Sequence, residues 1–118
     1  MKIFDRDGKV NFVDANNVLV GFDNTQDCCE DFGYLFTPEL PTDTDAGVVD
    51  FDPSGWVFDR AFCEPVNGLG LDKGEAVAFK LTKGEDVMYL TLFNAHNGYY
   101  GHGFEMTLGD ENLHDGIL

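Results

Sequence analysis

A chain of 118 residues with 22 acidic and seven basic side chains carries a formal charge of −15. A surface this negative repels nucleic-acid phosphates and anionic lipid headgroups, which excludes direct nucleic-acid binding and membrane association. Because 43% of the residues are hydrophobic, the chain can bury a core as one small domain over 1–118 and is not a disordered acidic tail.

Alternating apolar and polar residues favour β-strands in the first forty positions. The Asp7-Gly8 pair, with apolar residues on both sides, is typical of a two-residue hairpin turn. Further strands are predicted over residues 17–22 and 33–37, where Val, Leu and Phe recur. Residues 26–32 break the alternation, so this acidic segment is either one short helix or a loop.

Strong alternation returns in the second half of the chain. Residues 75–82 and 87–94 form a predicted hairpin about the turn at 83–86, and residues 103–108 are expected to return beside them as a C-terminal antiparallel meander. Both faces of 87–94 are largely apolar, which predicts a covered central strand. Residues 109–118 are polar and are expected to form a mobile tail.

The pattern as a whole predicts a single, mainly β domain. Short strands with turn signals about every ten residues are typical of an antiparallel sheet, a partly open barrel or a sandwich. An α+β fold with one short helix near 26–32 is the alternative.

The segment 94–103 concentrates aromatic, imidazole and amide side chains among three glycines. Rigid aromatic side chains lose little conformational entropy on binding, and imidazole and amide groups supply hydrogen bonds. We therefore predict that this loop contacts a partner. Its candidate binding residues are Asn94, His96, Asn97, Tyr99, Tyr100 and His102. The alternative is an ordinary turn at Asn97-Gly98 whose tyrosines pack over a sheet edge.

Asp27, Cys28 and Cys29 form a second candidate binding group. Thiolate and imidazole are good zinc ligands, so the cysteines with His96 and His102 could build a zinc site or a thiol-dependent site. One feature argues against the zinc site and another against the thiol-dependent site. The cysteines are adjacent, whereas neighbouring zinc ligands are usually spaced by about two to four residues, and the surrounding acidic residues disfavour a thiolate. Burial as small apolar residues is the favoured alternative.

Residues 50–55 match the first half of a calcium-binding loop, with Asp50, Asp52 and Ser54 as oxygen ligands. The second half departs from the pattern, because the twelfth position is Ala61 where a bidentate Glu is needed. An ordinary turn is therefore the favoured interpretation, with no resident cofactor, and calcium or zinc is the weaker alternative. No catalytic residue is predicted, and an enzyme is the less favoured class.

Two short motifs carry a resemblance to a known group of proteins. The residues Asp27-Cys28-Cys29-Glu30 precede Asn97-Gly98-Tyr99-Tyr100-Gly101 by some seventy positions. This pair resembles small uncharacterised proteins of bacteria, mobile elements and bacteriophages that combine a DCC-type motif with a late NGYYG-type motif. The resemblance covers only these motifs. It implies a small β-rich fold in which the two motifs lie near each other, and it implies no activity.

These features lead to the hypothesis of a non-enzymatic binding module that contacts a protein partner, one with a basic face, through its acidic surface and the 94–103 loop. The alternatives are the metal- or thiol-dependent site, an acidic mimic of nucleic acid, and a homodimer formed through exposed edge strands. Adaptation to a salty habitat would explain the charge without any partner. An odd number of cysteines, three, and the lack of a long apolar leader favour the cytoplasm.

Overall fold

The described part of the chain is built entirely from β-strands and their connections. The computed structural model describes residues 1–24, 32–41, 52–66, 75–94 and 101–118. The strands are β1 (Lys2–Arg6), β2 (Lys9–Val13), β3 (Val18–Asp23), β4 (Phe32–Thr37), β5 (Val57–Pro65), β6 (Glu75–Lys83), β7 (Asp86–Asn94), β8 (Gly103–Leu108) and β9 (Glu111–Ile117).

These strands form two antiparallel sheets. The five-stranded sheet has the order β1-β2-β3-β8-β9, and the four-stranded sheet has the order β4-β7-β6-β5. One cluster of buried side chains draws members from both sheets, so the sheets pack face to face as a sandwich and do not close into a barrel. The predicted mainly β, antiparallel fold is confirmed.

The core lies between the two sheets. Successive side chains of a strand lie on opposite faces, so alternate residues of each strand enter the core. Phe12, Val20 and Met106 of the five-stranded sheet meet Phe79 and Leu90 of the four-stranded sheet, and all five are fully buried. Each such apolar side chain stabilises the fold by about 1.5–3 kcal/mol on leaving water, so this core is the main source of stability.

The predicted hairpins are present. Asp7 and Gly8 both have positive φ, 54° and 76°, which is the conformation that a type I′ turn requires of its two central residues. The β6–β7 turn contains Gly84 at a φ of 63°. In its sheet, β7 lies between β4 and β6, and the predicted covered central strand is confirmed.

The expected C-terminal meander is wrong in its last strand. β6 and β7 pair as predicted, but β8 crosses to the other sheet and pairs with β3 and β9. A strand has only two edges for hydrogen bonding, and those of β7 are occupied by β4 and β6. The next strand therefore cannot pair with β7, and β8 pairs in the other sheet.

Residues 109–118, expected to form a polar tail, contain strand β9. It pairs with β8 after a turn in which Gly109 has a φ of 59°. An edge strand needs few apolar side chains, because backbone groups provide its pairing and solvent covers much of its surface. A half-buried Leu113 nevertheless packs against the core.

The short helix proposed for 26–32 falls almost wholly outside the described residues. Only Phe32 of that range is described, and it is the first residue of β4. The described ranges contain no helix long and apolar enough to cross a membrane.

A buried carboxylate ties the two sheets together. Asp14 lies in the β2–β3 turn and is 4% exposed. One of its oxygens accepts the backbone N–H groups of Asn16 and Val18, each at 2.9 Å. Its other oxygen accepts the N–H of Phe58, on β5 of the opposite sheet, at 2.8 Å. Asp14 therefore fixes a turn of one sheet against a strand of the other.

Candidate functional site

One end of the sandwich gathers the residues that border both predicted binding motifs. β3 ends and β4 begins there, on either side of the segment 25–31, and β7 ends and β8 begins there, on either side of the segment 95–100. We call this region the loop end. It is defined by Asp23, Phe32, Asn94, His102 and Leu118.

His102 is the central side chain of the loop end and is 1% exposed. Its Nδ1 lies 2.7 Å from the carbonyl oxygen of Asp23. A carbonyl oxygen can only accept, so Nδ1 carries the proton and donates it. The imidazole also stacks on Phe32 with a centroid separation of 4.1 Å. His102 thus contacts the residues that border the segment 25–31 on both sides.

Asn94 and Leu118 complete the loop end. The Asn94 side chain donates from Nδ2 to the carbonyl oxygen of Leu118 at 3.1 Å. The backbone N–H of His102 donates to the same oxygen at 2.9 Å, and the N–H of Leu118 donates back to the carbonyl of His102 at 2.9 Å. Because Asn94 ends β7 and His102 precedes β8, these bonds fix the two sheets where the segment 95–100 leaves one and reaches the other.

Two of the predicted binding residues, Asn94 and His102, are therefore brought together by Leu118. Each is 1% exposed, so their side chains support the loop end from inside. The remaining predicted binding residues lie outside the described ranges: Asp27, Cys28, Cys29, His96, Asn97, Tyr99 and Tyr100.

Sequence reasoning did not identify Asp23, Phe32 or Leu118 as part of this region. Asp23 contributes its backbone carbonyl oxygen, a group that every residue has and that the sequence therefore cannot single out. Phe32 follows directly after the segment 25–31 and resembles any other strand aromatic. The only signal in the sequence was the position of Asp23 and Phe32 on either side of the segment 25–31. Leu118 offered no such signal.

Cys63 is the cysteine that the described ranges include, and it is half-buried on β5. Burial raises the pKa of its thiol, and the negative charge of Glu64 raises it further. A thiol in this state stays protonated and is a poor nucleophile. Cys63 packs against the main core, which is a structural role.

The candidate calcium ligands Asp52 and Ser54 form a turn. The Asp52 carboxylate accepts the backbone N–H of Ser54 at 2.9 Å, and this hydrogen bond is the main reason that the pKa of Asp52 is lowered from its ordinary value. Asp50, the third candidate, lies outside the described residues. Within the described ranges, no group of three or more His, Cys, Asp or Glu side chains could hold a metal ion.

Comparison of the chain with protein-family models, with curated proteins and with solved structures gives no match. The function of the loop end is therefore inferred from its own geometry.

Proposed function

We propose that this chain is a non-enzymatic module that binds a protein partner through the loop end. The observation that carries the proposal is the position of His102, which stacks on Phe32 and donates to Asp23. These contacts join the border of the 95–100 segment to both borders of the 25–31 segment. Two motifs some seventy residues apart in sequence thus start from one small region.

The composition of the two segments suits recognition of a basic surface. The segment 25–31 contributes three carboxylates and the segment 95–100 contributes two tyrosines and a histidine. Carboxylates attract a basic partner and select against an acidic one. Tyrosines supply contact area at a low entropic cost. Fixed segment borders reduce the entropy that binding must remove, because the ends of both segments are already held.

A capture experiment tests the aromatic part of the proposal. The wild-type chain, a Tyr99→Ala/Tyr100→Ala variant and a Val87→Ala variant are immobilised and exposed to a lysate of the source cells. Val87 is an exposed apolar residue at the start of β7, at the opposite end of that strand from Asn94. We expect the tyrosine variant to lose the partner that wild type and Val87→Ala both retain. Equal recovery on all three surfaces would remove the loop from the proposal.

A charge-matched pair tests the acidic part. Asp27→Asn/Asp31→Asn removes two negative charges from the segment 25–31, and Glu85→Gln/Asp86→Asn removes two from the β6–β7 turn. The turn lies at the far end of β7, about 26 Å along the strand from Asn94. Local recognition predicts weaker binding by the first variant only. Equal weakening would mean that net charge, and not the loop end, attracts the partner.

The identity of the captured partner distinguishes general protein binding from mimicry of nucleic acid. An acidic mimic of nucleic acid would bind a basic nucleic-acid enzyme, with affinity that falls steeply as salt rises. A partner without a nucleic-acid groove would leave the general protein-binding proposal standing and exclude mimicry.

A zinc site is a second candidate, and the tautomer of His102 is the observation that favours it. A histidine that ligates a metal usually donates its other ring N–H to a carbonyl or carboxylate, as His102 does to Asp23. Cys28 and Cys29 would be the thiolate ligands. Native mass spectrometry of protein purified without chelator tests this candidate. Bound zinc that is lost in both Cys28→Ser/Cys29→Ser and His102→Asn would establish it, and a metal-free mass after zinc addition would exclude it.

A further inference from the structure

The outer face of the five-stranded sheet, the face directed away from the core, presents three straight rows of side chains. Strand register defines the rows, because residues paired across neighbouring strands share a face. The middle row is Phe4, Asn11, Gly21, Glu105 and Asp115. The second row is Lys2, Val13, Leu19, Thr107 and Asn112. The third contains Arg6, Lys9 and Asp23 from one side and Gly103 and Ile117 from the other.

Charge on this outer face is divided between its two halves. The basic half consists of Lys2, Arg6 and Lys9 on β1 and β2. The acidic half consists of Asp23, Glu105 and Asp115 on β3, β8 and β9. Asp7, in the β1–β2 turn, lies 3.8 Å from Arg6 and lines a groove on this face. Among the described residues the outer face therefore holds three basic and four acidic side chains, a formal charge of −1 on a chain of charge −15.

At the centre of the outer face, Gly21 places no side chain above the sheet. Beside it, Lys9 Nζ contacts Glu105 Oε1 across β3 at 2.9 Å. Two surface grooves flank this ion pair. The larger, of about 450 Å³, is lined by the acidic-half residues together with Lys9 and Ile117. The smaller, of about 230 Å³, is lined by Phe4, Arg6, Asp7, Lys9, Asn11 and Leu19.

Apolar side chains stand beside both grooves. Ile117 is 72% exposed and Phe4 is 38% exposed. Each lies on an edge strand, β9 for Ile117 and β1 for Phe4, on opposite sides of the central glycine. The outer face therefore offers apolar contacts at both edges in addition to its complementary charges.

We propose that two copies of this chain associate face to face through the outer face of the five-stranded sheet. A two-fold axis parallel to β3 and close to Gly21 places β1 of one copy over β9 of the other. This arrangement places the strands that carry Lys2, Arg6 and Lys9 over the partner's strands that carry Glu105 and Asp115, while Asp23, on β3, lies beside the axis. A two-fold axis perpendicular to the strands would instead place β1 over β1, with like charges opposed, so charge selects the first arrangement.

The same charges explain why this face is used. Two chains of charge −15 repel through most of their surface. The described outer face is close to neutral and its two halves are complementary, so a second copy can approach it with much less of that repulsion. Five strands about 4.8 Å apart, each about five residues long at about 3.3 Å per residue, give a contact of roughly 300–400 Å² in projection. This is below the roughly 800 Å² per partner of a standard interface, so we expect a weak dimer that forms at high protein concentration.

Charge reversal in two different variants provides the test, with oligomeric state measured by sedimentation equilibrium and native mass spectrometry of the full chain. Lys2→Glu/Arg6→Glu makes both halves of the outer face acidic, and Glu105→Lys/Asp115→Lys makes both halves basic. We expect wild type to dimerise and each variant alone to dimerise at least tenfold more weakly. An equimolar mixture of the two is expected to form heterodimers, because an all-acidic face then meets an all-basic one.

A matched control carries the same change of net charge elsewhere. Glu85→Lys/Asp86→Lys alters the β6–β7 turn of the opposite sheet. It should self-associate at least as well as wild type and should not pair selectively with Lys2→Glu/Arg6→Glu. Circular dichroism checks that every variant folds, and Asp115→Lys alone replaces the double variant if that one unfolds. Monomeric wild type at the highest soluble concentration, or selective pairing with the control, would overturn the proposal.

Discussion

Replacing Asp14 tests how the two sheets are held together. Its carboxylate serves the β2–β3 turn with one oxygen and the N–H of Phe58 with the other. In Asp14→Asn, the amide oxygen can still serve the turn, but the amide nitrogen faces the Phe58 N–H, and two donors cannot bond. A buried donor left unsatisfied costs about 1–3 kcal/mol. Asp14→Ala loses the turn bonds as well, so we expect a total cost of about 2–5 kcal/mol.

Urea unfolding measures these costs. The single tryptophan, Trp56, is buried near the start of β5 and reports on the region by fluorescence. We expect midpoints in the order wild type, Asp14→Asn, Asp14→Ala, with the slope of the transition unchanged. Asp59→Asn is the matched control, because the Asp59 carboxylate also accepts a backbone N–H, that of Ala61 at 3.0 Å, but does so in an exposed position. Its midpoint should stay at the wild-type value.

The order of the unfolding midpoints decides whether Asp14 links the two sheets. If Asp14→Asn unfolds at the wild-type midpoint, the bond to Phe58 contributes nothing and the assignment of Asp14 as a link between sheets fails. If Asp59→Asn loses as much stability as Asp14→Asn, burial is not what makes the Asp14 bonds valuable.

Three further experiments test a close glycine contact, the reactivity of Cys63 and the titration of Asp52. Gly116→Ala should lower the midpoint of thermal unfolding more than Gly103→Ala. An added Cβ at Gly116 lies 2.8 Å from the ring of Phe104, whereas one at Gly103 has no neighbour closer than 3.8 Å. Equal unfolding midpoints would contradict this reasoning. Alkylation of Cys63, followed by mass spectrometry, should be slower than that of an unfolded control at neutral pH and should accelerate at higher pH than usual, because burial raises the pKa of the thiol. The pKa of the Asp52 carboxyl, followed by NMR, should lie below that of aspartate in the unfolded chain, because the backbone N–H of Ser54 stabilises the charged form. Its small contribution to stability is therefore present near neutral pH and lost as pH falls through the lowered pKa. A pKa equal to or above that of the unfolded chain would contradict the turn geometry.

Short sequence patterns correctly predicted the hairpin at Asp7-Gly8 and the covered strand at 87–94. The Asp7-Gly8 pair predicts its hairpin, since few residues besides glycine, asparagine and aspartate adopt the positive φ that this turn requires. The two apolar faces of 87–94 predict a covered strand, because only a strand packed on both sides needs them. Both features depend on residues close together in the chain.

Features that depend on distant pairing could not be predicted in this way. β8 cannot pair with β7 because β4, whose residues lie more than fifty positions earlier, occupies that edge of β7. The link from Asp14 to Phe58 joins residues 44 positions apart. The divided charge of the outer face becomes visible only once the order β1-β2-β3-β8-β9 brings the basic and acidic strands into one sheet.

The candidate site shows the same division. Sequence reasoning selected Asn94 and His102 for their chemistry, and the structure brings them together. It could not foresee that both are buried, because burial depends on Leu118 and Phe32, which pack against them from other strands and termini. Their chemistry is used within the fold, where they hold the borders of the two motif segments.

The proposed function requires that the segments 25–31 and 95–100 form one recognition surface at the loop end. A nitroxide attached to Cys29 in a Cys28→Ser/Cys63→Ser background tests it directly by NMR. We predict that the label broadens the amide signals of residues 95–100 and leaves that of Gly84, at the far end of the sandwich, sharp. If the signals of 95–100 stay as sharp as that of Gly84, the two motifs do not share a surface and the account is contradicted.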